Sequence, residues 1–246
     1  MSARGAALVT GGARRIGRAL AAAAAAAGYD VAIHVRAPGD EAEATAGDIR
    51  AQGRKAAILD CDLRSEPATV ALVGEVEAEL GPVTLLVNCA SVFEEDQFDQ
   101  MNRASWDLHM ETNLRAPLVL AQAFARRLPA DREGLIVNIL DQRVWRPSPN
   151  FFSYTLSKSA LWDATRMMAL ALAPRIRVNG IGPGPVLASI HQDAAAFAAE
   201  AAATPLGRAV SPAEIAATLR YLIDAQGVTG QMIAVDSGQH LGGPDA

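Results

Sequence analysis

Short, nearly continuous apolar runs alternate along the chain with longer amphipathic or alanine-rich stretches. The runs Ala6 to Thr10, Val31 to Val35, Ala56 to Leu59, Leu85 to Asn88, Leu135 to Leu140, Ile176 to Ile181 and Met232 to Val235 predict β-strands. A strand that is apolar throughout is covered on both faces, so the pattern predicts a parallel seven-stranded sheet between two layers of helices. This is an α/β, doubly wound, Rossmann-like fold. The alanine run Ala21 to Ala27 predicts a helix that packs closely on the sheet, because alanine forms helices well and adds little bulk. Long helices are predicted around residues 103–128 and 151–173. No composition shift or repeat divides the chain, so residues 1–246 are expected to form a single domain. The least regular stretch, 183–210, carries Pro183, Gly184, Pro185, Pro205 and Gly207 and follows a strand end, where a substrate lid is expected.

Composition narrows the function classes. A formal net charge of -5 disfavours nucleic-acid and anionic-membrane partners, leaving small molecules as the expected partners. Cys61 and Cys89 stand far apart without metal-ligand spacing, so no disulfide or metal site is expected and a cytoplasmic location is. The alanine run is too short to span a bilayer, and no apolar signal-peptide core precedes the first strand.

The first strand leads into Thr10-Gly11-Gly12-Ala13-Arg14-Arg15-Ile16-Gly17 and then a helix. Glycines allow a tight turn and close packing there, and a helix N-terminus attracts a pyrophosphate, so this loop is expected to bind a dinucleotide. Arg15 stands where a glycine is usual, and a guanidinium can itself bind phosphate. The second strand ends in His34-Val35-Arg36 with no carboxylate for a ribose hydroxyl. Arg14 and Arg36 would attract a 2′-phosphate, which favours NADP(H) over NAD(H). Asp62 and Leu63 are placed to meet the adenine, while Asn88, Ala90 and Ser91 close the same sheet edge. Asn113 is expected to brace the site through backbone hydrogen bonds. Tyr154 and Lys158 share a helix face, where an ammonium can lower the phenol's pKa, and Asp141 precedes them by one loop. Acid, phenol and ammonium together form a proton-transfer set.

The order Thr10-Gly11 to Gly17, Asp62, Asn88 to Ser91, Asn113, Tyr154 to Lys158, Asn179 and Pro183-Gly184 resembles the short-chain dehydrogenase/reductase family over essentially the whole chain. The resemblance implies hydride transfer with NAD(P)(H), Tyr154 as acid/base, Lys158 gripping the ribose, and Asn113 as a structural or proton-relay residue. It also implies that Ile16, Pro183, Gly184 and Val186 help hold the cofactor, and that the protein is a homo-oligomer, commonly a tetramer. Most members place serine where this chain has Asp141. Aspartate there, with Arg15 and Phe93, is similar to the pteridine reductases and bacterial dihydromonapterin/dihydrofolate reductases. That branch implies a flat pterin between nicotinamide and Phe93, near Arg15, Ser91, Asp141 and Tyr154. Trp145 is the first choice among loop aromatics for the same pocket, ahead of Phe151 and Phe152. The alternatives are a carbonyl reductase of oxoacyl, sugar or steroid-like substrates on the same fold, and a catalytically silent NADP-sensing protein.

Overall fold

The computed structural model describes residues 4–189 and 191–242. Ile190, inside the expected lid, lies outside the described residues, as do the chain's first three and last four positions. Seven strands form one sheet: β1 (Ala6–Thr10), β2 (Asp30–Val35), β3 (Ala56–Asp60), β4 (Val83–Asn88), β5 (Gly134–Ile139), β6 (Ile176–Pro183) and β7 (Met232–Val235). Every pairing is parallel, in the order β3-β2-β1-β4-β5-β6-β7. The strand order reverses between β1 and β4, and such a reversal opens a crevice at the carboxyl ends of the strands.

The helices are α1 (Arg15–Ala26), α2 (Asp40–Ala51), α3 (Glu66–Leu80), α4 (Arg103–His109), α5 (Ala116–Arg127), α6 (Phe152–Leu172), α7 (Ala194–Ala202) and α8 (Pro212–Asp224). Strands β1, β2, β4 and β5 are buried at every position, as their apolar composition requires. On one face, Leu20 and Ala24 of α1, Ile49 of α2 and Leu219 of α8 cover the sheet. On the other, Leu72 of α3, Leu120 and Phe124 of α5 and Ala169 of α6 do so. The alanine run is therefore a packing surface: Ala21 and Ala24 are fully buried and leave room for α8 beside α1.

The predicted 103–128 helix is continuous in course but not in winding. A π-helical turn, Met110–Arg115, joins α4 to α5 and carries the buried Asn113. Such wide turns recur at functional sites because they redirect side chains that a regular helix would hold elsewhere. The 183–210 segment is described on either side of Ile190. It contains the end of β6, an irregular stretch and α7, whose N-terminus is capped by Asp193. Among the described residues no helix is long and apolar enough to cross a membrane.

Candidate active site

The carboxyl ends of β1, β2, β4, β5 and β6 border a cleft of about 1160 Å³. Thr10, at the end of β1, fastens the two sides of the strand-order reversal. Its Oγ1 accepts hydrogen bonds from the Cys89 and Ala90 amides at 2.9 and 3.0 Å. Gly11 follows with a φ of +63°, and a side chain there would press on the Ala90 backbone. A Cβ on Gly17 would lie 2.0 Å from the Gly11 carbonyl oxygen. Both positions therefore require glycine for the chain to turn directly into α1.

No side-chain hydrogen bond caps α1. Its first residues, Arg15 and Ile16, line the cleft beside Arg14, and an uncapped helix N-terminus there suits an anionic pyrophosphate. Arg36 lies in the same cleft at the end of β2, and Asp62 and Leu63 border it after β3. Arg64 grips Asp62 through both carboxylate oxygens, at 2.5 to 3.1 Å, and that ion pair holds the carboxyl down at about 2. The cleft thus fits a 2′-phosphorylated dinucleotide by charge and by backbone shape. Ala90, Ser91, Pro183, Gly184 and Val186 line its inner part as expected.

His34 also borders the cleft, but its ring is buried beneath the glycine turn. Nδ1 stands 3.4 Å from the Gly11 amide and Nε2 3.1 Å from the Cys61 carbonyl oxygen. Burial lowers its pKa, so the neutral ring supports the loop and contributes no positive charge to it. Arg15 adopts a left-handed backbone, φ +51°, and donates to the Leu187 and Ala188 carbonyls at 3.1 and 3.0 Å. The glycine loop is thereby tied to the 183–210 segment. Leu187, Ser189, His191, Phe197 and Glu200 of that segment line the cleft from the opposite side.

At the inner end, Tyr154 donates to Asp141 Oδ2 at 2.8 Å. Asp141 Oδ1 accepts the Arg143 amide at 2.8 Å, with the Arg143 guanidinium 3.9 Å away. Lys158 donates to the Ile139 carbonyl at 2.8 Å, and its ammonium stands 5.8 Å from the Tyr154 ring centre. Both Tyr154 and Lys158 are almost fully buried.

Burial pushes the Tyr154 phenol well above its ordinary value, and the charge of Asp141 in contact with it pushes the same way. Burial raises the Asp141 carboxyl and brings the Lys158 ammonium down to about 8. The expected lowering of the Tyr154 pKa by Lys158 is corrected accordingly. The nearest charge to the phenol is a carboxylate, and a buried carboxylate in contact outweighs an ammonium farther away and engaged elsewhere. The phenol is held protonated, ready to donate and hard to ionise.

Three expected site residues lie behind or beside the cleft. The Asn88 side chain points into the sheet and donates to Asn138 Oδ1 at 2.8 Å, while Asn138 donates to Thr165 of α6 at 2.9 Å. This buried chain joins β4, β5 and α6, so the Asn88 side chain braces the sheet edge expected at the cofactor site. Asn113 accepts from the Val92 amide at 2.8 Å and Ser91 Oγ at 3.1 Å. It donates to the Val92 carbonyl at 2.9 Å and Ser157 Oγ at 3.2 Å. Its bonds pin the loop after β4 to α6, which is the bracing geometry. Trp145 turns away from the pocket. The Asp141-capped 3-10 turn Gln142–Val144 carries it outward, where it is 44% exposed and packs edge-on against His240 at 5.0 Å.

Of Trp145, Phe151 and Phe152, the one that lines the pocket with Phe93 is Phe151. Their rings stack at 4.1 Å and 9°, and Phe93 meets Tyr154 edge-on at 4.7 Å. The Arg143 guanidinium lies 5.3 Å from the Phe151 ring centre and 5.8 Å from that of Phe93. Sequence reasoning passed over Arg143, whose only signal is its position two residues after Asp141.

Residues 11–240 match the family model described as enoyl-(acyl carrier protein) reductase. The chain is also 34% identical to an uncharacterized oxidoreductase of Mycobacterium tuberculosis, across 94% of this chain and 90% of that one. The chain belongs to the short-chain dehydrogenase/reductase family. It is therefore an oxidoreductase by family. A 3-oxoacyl-[acyl-carrier-protein] reductase of Staphylococcus aureus is 29% identical across 96% of this chain and 98% of its own length. Among solved structures, the alternative dihydrofolate reductase 1 (FolM) of Brucella canis, complexed with NADP, superposes with a TM-score of 0.95. It is 47% identical and covers 100% of this chain and 98% of its own. The NADP in that structure agrees with the cofactor expected from Arg14 and Arg36.

Proposed function

We propose that the protein is an NADPH-dependent reductase of a dihydropterin-type substrate, with dihydromonapterin and dihydrofolate as the leading members of that class. The observation that carries this reading is the 2.8 Å bond between Tyr154 and Asp141 beside the flat wall of Phe93. A 3-oxoacyl reductase needs a donor for a carbonyl oxygen, whereas the amino and ring N–H groups of a pterin need acceptors, which a carboxylate supplies. The likeness to the Brucella canis enzyme supports the same assignment.

Bound NADPH would supply the hydride to the carbon of a ring C=N bond. Arg14, Arg36 and the α1 amides hold its phosphates, and Lys158 holds the ribose. Tyr154 delivers the proton to the adjacent ring nitrogen. Asp141, with its raised pKa, restores that proton to the phenol or anchors the pterin amino group. Phe93 and Phe151 exclude water and offer a π-face to the planar ring. The 183–210 segment, held to Arg15, acts as the lid over the substrate. Homo-oligomerisation is proposed as well, with Met167 and Leu170 of α6 exposed at 68% and 84%.

The cofactor assignment has its own test. Arg36→Ala is expected to raise the KM for NADPH about ten- to a hundredfold while leaving the KM for NADH nearly unchanged, because only the former loses a charge-assisted phosphate contact. Equal effects on both cofactors would remove the 2′-phosphate role. The substrate assignment is tested by NADPH oxidation against dihydropterins, dihydrofolate and 3-oxoacyl thioesters in parallel.

A further inference from the structure

A second buried polar cluster stands behind the substrate wall and takes no part in the chemistry above. His109 ends α4 with its side chain fully buried, as is Ser153, which directly precedes Tyr154, and Asp96 is 5% exposed. The Glu94 amide, one residue beyond Phe93, donates to His109 Nε2 at 3.1 Å. His109 Nδ1 lies 2.7 Å from Ser153 Oγ. Ser153 Oγ in turn donates to Asp96 Oδ2 in a short contact, and the Ser153 amide donates to Asp96 Oδ1 at 2.9 Å. The Phe152 amide donates to the Asp96 carbonyl at 3.0 Å.

The donors fix every role in this chain. An amide N–H can only donate, so Nε2 must be the accepting nitrogen. Nδ1 then carries the hydrogen and donates to Ser153 Oγ, which passes its own hydrogen to the carboxylate. A doubly protonated ring would set Nε2–H against the Glu94 N–H. Burial favours the neutral form that the geometry requires. The arrangement is not a nucleophile triad, since the serine sits between the histidine and the acid and no atom of it reaches the cleft.

Its effect is mechanical. The loop after β4 carries Phe93, and the start of α6 carries Tyr154. Asp96 fastens that loop to the first turn of α6, and His109 fastens the same loop at Glu94 to Ser153. We infer that His109 is a positioning residue that sets Phe93, the substrate wall, against Tyr154, the proton donor. It does so by holding the Glu94 amide on one ring nitrogen and the Ser153 hydroxyl on the other. The inference rests on the proposed reaction only for the identity of the molecule that Phe93 faces.

Two substitutions separate the two bonds. Gln can present an acceptor near the Nε2 position and keep the Glu94 amide bound. Asn can present a donor near the Nδ1 position and keep Ser153 while releasing Glu94. His109→Asn is expected to raise the substrate KM about tenfold, as one lost buried hydrogen bond implies, with the Kd for NADPH unchanged. His109→Gln is expected to stay within about threefold of wild type in KM. Ser153→Ala, which cuts the chain on its other side, is expected to lower kcat more than it raises KM, because it loosens the turn that carries Tyr154.

The measurements are steady-state kinetics with dihydropterin and NADPH titration by fluorescence, on variants whose melting temperatures show them folded. Equal changes in KM for the Asn and Gln variants, or parallel losses of NADPH affinity, would overturn the positioning role. So would failure of both His109 variants to fold while Ser153→Ala leaves kcat and KM at wild-type values. A wild-type protein inactive on dihydropterins but active on a 3-oxoacyl thioester would refute the proposed substrate instead, and the same variants are then read with the thioester.

Discussion

Tyr154→Phe is expected to lower kcat for dihydropterin reduction by about 10²- to 10⁴-fold, the usual contribution of a positioned general acid. Binding of NADPH should change little, since the ring stays. Its edge-on contact with Phe93 at 4.7 Å and its packing near Lys158 use no phenolic hydrogen. Stopped-flow measurement of a single turnover, with NADPH affinity taken from the same titrations, separates the two quantities. The contrast also bears on the silent NADP-sensing alternative. A sensor would bind NADPH equally well with either residue and turn over nothing with either.

The second large effect concerns Asp141. Asp141→Asn keeps the side-chain shape but removes the buried carboxyl that contacts the phenol at 2.8 Å. It is expected to lower kcat with dihydropterin by about 10²-fold, because an amide cannot take up or return a proton and offers one acceptor oxygen where the carboxylate offers two. The pH profile carries an independent sign. Reduction requires a protonated phenol, and burial and Asp141 both raise the Tyr154 pKa. Loss of the phenol's proton therefore lowers kcat of the wild type only on the alkaline side. At the pH where the phenol titrates, Asp141 is ionised, so its replacement removes a raising influence. The alkaline limb of the variant should move to lower pH. A limb that stays in place while kcat falls would make Asp141 a substrate anchor without influence on the phenol.

Asp141→Ser gives the complementary result. It restores the residue type that most of the family carries, and a hydroxyl can donate to a carbonyl oxygen where a carboxylate cannot. Activity on 3-oxoacyl substrates should rise as dihydropterin activity falls. The 29% identical 3-oxoacyl reductases supply the comparison on the same fold.

Much of this arrangement is legible in the sequence because it depends on local pattern. The unbroken apolar β1 is read with its observed bounds, whereas β4 begins at Val83, before its predicted start at Leu85, because the polar Thr84 interrupts the apolar run. β6 extends to Pro183 beyond its predicted end, since Gly182 and Pro183 still pair with Ala234 and Val235 in the sheet despite poor strand propensity. The glycine loop was legible because Gly11 and Gly17 answer a steric demand that no other residue meets.

What escaped the sequence depends on direction and on distant neighbours. Asn88 has the right position for the cofactor edge, yet its side chain faces Asn138, a strand away. Trp145 is the sequence's first choice among the loop aromatics, yet Phe151 is the one in the pocket. Only the 3-10 turn after Asp141 and the left-handed backbone of Phe151, φ +55°, decide which one enters the pocket. The π-helical turn around Asn113 has no compositional mark. The pairing of His109 with Glu94 and Ser153 exists only once α4 and α6 are packed together. The phenol's electrostatics failed for a related reason: the helical spacing of Tyr154 and Lys158 was visible, while the closer contact with Asp141 came from another loop.

The most direct test of the pterin assignment is kcat/KM for NADPH oxidation with dihydromonapterin, dihydrofolate and a 3-oxoacyl thioester, measured on the same preparation of the wild-type protein. A dihydropterin is expected to exceed the thioester by about a hundredfold or more, the discrimination that follows when buried polar groups are matched by one substrate and left unpaired by the other. Turnover of the thioester alone would contradict the assignment.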